Sequence, residues 1–189
     1  MVDISPKNVK SGISLADPAA HQIKARGTKI MAEISLDEFL EYVEEWMTTN
    51  EAAIAKMWPQ DGGWEGWAQA EIFRFIGEKN HAFDIGREKH CFTNNRKGCD
   101  FLLNDSSALK NKVIVELKCQ SFSNYKRFAK GLSDDTTKLI KDLKPAYVGA
   151  NLLIIGMYFT AKTEVPKHFA KKVIGKGEIG ICWATDSNG

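Results

Sequence analysis

The sequence is short of several things, and each shortage narrows what it can be. No apolar run approaches the roughly 20 residues that a membrane helix needs. The longest, residues 148–159, is interrupted by Gly149, Asn151 and Gly156. The first residues lack the apolar stretch of a secretory signal, so no classical export route is expected; specialised secretion systems need no such signal. Cysteine is scarce: Cys91, Cys99, Cys119 and Cys182 are the only four in 189 residues. A chain of this size does not need disulfides, which favours reduced thiols in a cytosolic protein. Cys91 and Cys99 with neighbouring His90 do not complete a zinc site, because there is no CxxC pair and a fourth ligand is missing. There are no internal repeats. A Gly-rich phosphate loop, a nucleophile elbow and a metal-binding His pair are also lacking, which leaves a small-molecule enzyme without a supporting motif.

What is present suits one compact domain. Hydrophobic residues make up 43% of the chain and charged residues 26%, enough for a full core and too ordinary for wholesale disorder. The net charge of +2 is unevenly spread. Residues 28–80 carry 4 basic and 11 acidic side chains; residues 81–189 carry 18 basic and 11 acidic. The second part is the one suited to a polyanion.

Residues 1–28 hold Ser5-Pro6, Asp17-Pro18 and scattered glycines with no sustained period, and read as a flexible arm or linker before a single domain over 29–189. Ser35 and Glu38 form a capping box. Leu36, Phe39, Leu40, Val43, Trp46 and Met47 then follow at helical spacing. A turn at Pro59–Gly63 leads to a second helix over 64–77, with an apolar face of Trp64, Trp67, Ala68, Ile72, Phe75 and Ile76. Glu71 falls on that face. It is either paired, protonated or metal-bound there, or sits half-exposed at the edge of the stripe. From residue 81 the pattern turns to short strands near 82–92, 99–104 and 112–120, joined by Asn-rich turns that predict antiparallel hairpins. A helix over 124–144 and strands near 152–160 and 179–184 complete the order.

The segment 112–120, Lys-Val-Ile-Val-Glu-Leu-Lys-Cys-Gln, carries the chemistry. Alternation puts Val113, Val115, Leu117 and Cys119 on one face, and Ile114, Glu116, Lys118 and Gln120 on the other. Alone, Glu116 and Lys118 would be a surface pair. Asp100 opens the preceding strand, and a hairpin could bring its carboxylate to Glu116. Two carboxylates held together repel and invite a divalent cation. All-oxygen donors favour Mg²⁺, with Mn²⁺ as the substitute. Lys118 points the same way as Glu116 and is placed to orient an attacking water.

Asp100 followed by Glu116-Leu117-Lys118 resembles the signature of the PD-(D/E)XK nuclease superfamily, over about residues 64–160. Gln120 extends it to Glu-x-Lys-x-Gln; Cys99 stands where the motif's name has proline. The resemblance implies an α/β, restriction-endonuclease-like fold: a mixed central sheet flanked by helices, here with an N-terminal helical extension. It implies that Asp100, Glu116 and the Leu117 main-chain carbonyl ligate Mg²⁺ and that Lys118 positions the water. Glu71 would hold the metal's water shell or a second metal, and Gln120 would support Lys118 or touch substrate. The implied reaction is phosphodiester hydrolysis, with DNA favoured over RNA by the family alone. Phe122, Tyr125 and Phe128 read as the core face of an amphipathic helix. Lys126, Arg127 and Lys130 on its wet face, with Arg87, Arg96 and Lys97 around the first hairpin, are the expected phosphate contacts. Asp134-Asp135 to Lys138 reads as a helix start that needs no functional account.

Two settings compete for such a nuclease. One is a restriction or repair enzyme. The other, favoured by the short chain and irregular first 28 residues, is a toxin domain delivered to rival bacteria, acting in the cytoplasm and neutralised by an immunity protein. A rival of another class is a catalytically inactive nuclease fold that binds nucleic acid or protein. No membrane partner is expected.

Overall fold

Ser35 opens the first helix as its sequence demands. Its hydroxyl accepts the Glu38 N–H at 3.1 Å, satisfying one of the donors that every helix start leaves without a partner. The computed structural model describes residues 31–60, 63–159 and 163–186, so the arm expected over 1–28 lies outside the described residues. Helix α1 (Leu36–Thr49) buries Phe39, Leu40, Val43, Trp46 and Met47 along one stripe. Helices α2 (Glu51–Met57) and α3 (Glu65–Lys79) follow. No described helix is long and apolar enough to cross a membrane.

Strands β1 (Ile85–Lys89), β2 (Cys99–Leu103) and β3 (Val113–Cys119) form an antiparallel meander, as the turn residues predict. Helix α4 (Phe128–Lys141) then crosses over and returns β4 (Asn151–Phe159) parallel to β3. Strands β5 (Ala170–Ile174) and β6 (Ile179–Asp186) finish a six-stranded mixed sheet in the order β1-β2-β3-β4-β6-β5. The expected α/β class, a mixed sheet flanked by helices, is what forms.

Strand alternation decides which side chains go to which layer. Val113, Val115, Leu117 and Cys119 face the side covered by α1 and α3. Ile114 faces the other side, where Phe128, Leu132 and Leu139 of α4 pack. Glu116 and Lys118 alternate with Leu117 and so lie on the α4 side of β3. Helix α1 belongs to the main core rather than to an appended extension: Phe39 packs edge-on against Phe101 of β2, ring centroids 5.5 Å apart.

Two elements escape the sequence pattern. Strand β5 is an edge strand with only Ile174 buried, so it has no hydrophobic alternation to show. Helix α2 is one short piece after Asn50 with no side-chain cap. The close seating of α4 on the sheet depends on Gly156. A Cβ there would meet Cys182 Sγ at 2.6 Å and Phe128 Cζ at 2.9 Å. Gly156→Ala is therefore expected to cost about 1–3 kcal/mol through overpacking, a fall of about 2–4 °C in Tm per kcal/mol at this size, measured by calorimetry.

Candidate active site

The site lies where the sheet loosens. The β2–β3 ladder runs from Leu103–Val113 to Phe101–Val115 and stops. One more step would set Asp100 opposite Glu116. On the other flank, β1 kinks at Glu88, a non-glycine residue at φ 51, directly across from Asp100 in the Arg87–Phe101 and Lys89–Cys99 register. A non-glycine residue in this left-handed region is strained and marks a local constraint.

Asp100 fills the fork that results. Its Oδ2 accepts the Leu117 N–H at 2.6 Å, where a strand carbonyl would otherwise sit. Its Oδ1 accepts from Gln69 Nε2 at 2.8 Å. Gln69 is buried on α3 and accepts in turn from Arg87 Nη2 at 3.2 Å. In an extended strand the N–H and C=O of one residue point the same way, so the Leu117 carbonyl faces the fork beside Asp100. Glu116 is only 4% exposed. Its Oε2 pairs with Lys138 Nζ of α4 at 2.5 Å, and its Oε1 is buried with no hydrogen-bond partner.

Lys118 sits between two carboxylates. Its Nζ lies 3.3 Å from Glu65 Oε2 and 3.3 Å from Asp135 Oδ2. Glu65 also accepts the Cys119 N–H at 3.1 Å. The stem of Lys118 runs under Gly131, where an added Cβ would lie 3.6 Å from its Cδ.

The electrostatics follow from burial and from this census: Glu65, Asp100, Glu116 and Asp135 against Lys118 and Lys138. Burial, then the Asp100 charge, push Glu116 up to about 8, with the Lys138 ammonium pulling the other way. Burial pushes Asp100 up to about 6 despite the Leu117 N–H. Burial works against the Lys118 ammonium, but Glu65 and Asp135 outweigh it and hold its pKa above the ordinary lysine value.

Of the residues expected at the site, Asp100, Glu116, Leu117 and Lys118 come together and two do not. Glu71 is bonded to Arg74 at 3.0 Å on the outer side of α3. The face of α3 turned to the sheet is Ala68, Gln69, Ile72 and Ile76. Glu71 is two residues, about 200°, out of phase with Gln69. Glu65, four residues before Gln69, is in phase, and it is the carboxylate that α3 delivers. Gln120 is also absent from the chemistry: its Oε1 accepts the Phe159 N–H at 2.9 Å and its Nε2 donates to Thr163 at 2.9 Å, tying β3 to the end of β4. Asp135 and Lys138 are not a helix start: they pair with Lys118 and Glu116. Helix α4 begins at Phe128, not near Asp134, so both are mid-helix residues aimed at the site. The i, i+3 spacing was the available signal.

The expected phosphate contacts divide. Arg87 is committed to Gln69. Arg127 and Lys130 line a groove of about 360 Å³ that has Lys118 in its wall, with Lys130 also paired to Asp134. Lys126, Arg96 and Lys97 are exposed. A larger cavity, about 670 Å³, lies elsewhere, between residues 33–38 and Asn104, Asn151 and Trp183, and takes in none of these groups.

Among the described residues, no three His, Cys, Asp or Glu side chains gather tightly enough to hold a metal on their own. Mg²⁺ does not ask for that; it is commonly held by one or two carboxylates with several waters. Asp100, the unpartnered Oε1 of Glu116 and the Leu117 carbonyl are the oxygen donors that could serve there. In comparisons with known proteins, no family model, curated protein or solved structure matches the chain.

If Glu65 is the working α3 carboxylate, Glu65→Ala should lower metal-dependent nucleic-acid cleavage by about 10–100-fold, the usual effect of removing a group that orients a functional side chain. Glu71→Ala should leave it unchanged. Initial rates at matched folded fraction check both.

Proposed function

We propose that this protein is a metal-dependent nuclease of the PD-(D/E)XK kind, with a restriction-endonuclease-like core, that hydrolyses phosphodiester bonds in nucleic acid. The observation that carries the reading is the fork: Asp100 is bonded to the Leu117 N–H of β3, its charge bears on the neighbouring buried Glu116, whose Oε1 has no partner, and Lys118 follows on the same strand. The helix, meander, crossover helix, strand order supports it as well. A bound Mg²⁺ would supply Lewis-acid stabilisation of the charge that builds on the phosphoryl oxygens. Asp100 and Glu116 would hold it. Lys118 holds its proton at Nζ and orients the attacking water by donating to it. Glu65 and Asp135 keep that ammonium charged and fixed, which is positioning work rather than contact with substrate. Arg127 and Lys130 offer phosphates a path along the groove. DNA is the proposed substrate ahead of RNA. A toxin domain with a cognate immunity protein is the proposed setting, with a restriction or repair enzyme as the alternative.

One observation favours a second reading. Lys138 already pairs with Glu116 Oε2, as it would in a catalytically inactive binding module. Plasmid DNA, single-stranded DNA and RNA incubated with the purified chain, with Mg²⁺ or with chelator, separate the two. Cleavage that requires the metal is the expected result. Intact nucleic acid in every arm, from a folded protein, favours the binding module.

A further inference from the structure

Directly after β3 the chain makes a short loop, and two of its aromatic side chains are not in the core. Phe122 is 62% exposed and Tyr125 is 47% exposed. Of the three aromatics that the helical pattern assigns to the core, only Phe128 is buried there. The two exposed rings are not loosely held. Phe122 and Tyr125 lie 6.4 Å apart with planes inclined by 31°. Phe122 stands edge-on against Trp58 at 5.7 Å, and its N–H donates to the Trp58 carbonyl at 3.1 Å. Trp58 in turn packs on Phe159 of β4 at 5.3 Å. The loop is braced from within: Asn124 accepts the Ser121 N–H at 2.8 Å and donates to the Cys119 carbonyl at 2.9 Å.

Cations border these rings. Lys126 Nζ sits 5.6 Å from the Tyr125 ring centroid. Arg127 and Lys130 begin the groove that reaches Lys118. Asp134 is the one acid among the described residues lining that groove, and Lys130 pairs with it. Rigid aromatic faces beside a cationic groove match one ligand chemistry closely: π-faced bases on a phosphate backbone. Bases within a duplex have their faces covered by their neighbours, so exposed rings at the surface stack on bases that are unpaired.

We propose that Phe122 and Tyr125 form a stacking platform for unpaired bases, so that the substrate reaches Lys118 as a single-stranded segment whose phosphates follow Arg127 and Lys130. This inference rests on the nuclease reading for its direction, but binding can be measured without cleavage. The probe is a fluorescein-labelled oligothymidylate, titrated with the full chain in chelator and followed by anisotropy, beside a blunt duplex of equal length. Wild type should bind the single strand about tenfold or more tightly than the duplex. Tyr125→Ala should weaken single-strand binding about fivefold or more, and Phe122→Ala with Tyr125→Ala further still, at the scale of about 1–3 kcal/mol per stacked base. Duplex binding should barely move. Phe122 also supports Trp58, so Tyr125→Ala with an unchanged melting curve is the cleaner variant.

Equal affinity for both probes, or single-strand binding untouched by Tyr125→Ala, overturns the platform. Plasmid cleavage by a protein that ignores the single strand overturns it while leaving the nuclease reading intact. Ring-dependent single-strand binding by a protein that cleaves nothing sustains the platform and removes the nuclease.

Discussion

Lys118→Met should reduce Mg²⁺-dependent cleavage about 10²-fold or more while leaving the protein folded. The size follows from what the ammonium would do. A positioned proton donor or water-orienting group contributes about 10²–10⁴-fold. No other described cation stands where Lys118 does, because Lys138 is taken by Glu116 and Arg87 by Gln69. Methionine preserves the stem under Gly131 and removes only the charge. It also leaves Glu65 and Asp135 facing each other without their shared partner. Some loss of stability at neutral pH is therefore expected, and rates must be taken at matched folded fraction. Single-turnover cleavage of a plasmid, with protein in excess, measures the step concerned. A Lys118→Met protein that cuts within threefold of wild type (roughly 0.6 kcal/mol) would remove Lys118 from the mechanism while leaving the protein a nuclease. Glu116→Gln should be as severe and should additionally abolish the response to metal.

Without metal, the stability of the protein should fall as pH rises, and Mg²⁺ should reverse that fall. Glu116 is pushed from 4.5 up to about 8 and Asp100 from 3.8 up to about 6, so the folded state holds both protons more tightly than the unfolded chain does. A raised folded pKa contributes stability that is fully present below the unfolded value and lost as pH climbs through the folded value. For Glu116 the window runs from about 4.5 to about 8. Above it the folded protein carries both carboxylates ionised in a poorly solvated fork, with Lys138 offsetting only part of the cost. A divalent cation binds the ionised pair and stabilises in proportion to its occupancy. Thermal melts across this range, with millimolar Mg²⁺ and with chelator, should separate progressively toward high pH. Glu116→Gln should flatten the pH dependence and lose the Mg²⁺ shift. A wild-type shift of equal size at pH 5 and pH 9, or one that survives Glu116→Gln, would place the metal elsewhere.

The half of the site carried on strands is legible in the sequence; the half carried on helices is not. Glu116 and Lys118 share a face because a strand alternates with period 2, a local rule that no tertiary contact can change. Asp100 is reachable because a hairpin joins its strand to theirs. Which turn of α3 comes down over the fork is instead a tertiary fact. The aromatic stripe through Trp64, Trp67 and Phe75 points to the wrong phase, since Trp67 and Phe75 are only partly buried. Two residues of error on a helix exchange the inner face for the outer: Glu71 is two residues from the inward Gln69, whereas Glu65, one turn before Gln69, is in phase with it. Asp135 and Lys138 fail for a related reason: acids early in a polar stretch look like a helix start until the true start, at Phe128, is seen. The mixed sheet is readable from its hydrophobic strands, and β5 is not because an exposed edge strand carries little hydrophobic signal.

Two backbone amides inside this sheet are held by carboxylates rather than by carbonyls: Leu117 by Asp100 and Cys119 by Glu65. A carbonyl acceptor is constant across pH, whereas a carboxylate changes charge when it takes a proton. The amide proton resonance of Leu117 thus serves as a built-in reporter of Asp100, the acid that burial pushes up to about 6. It follows that ionisation in the resting protein, with no substrate and no turnover.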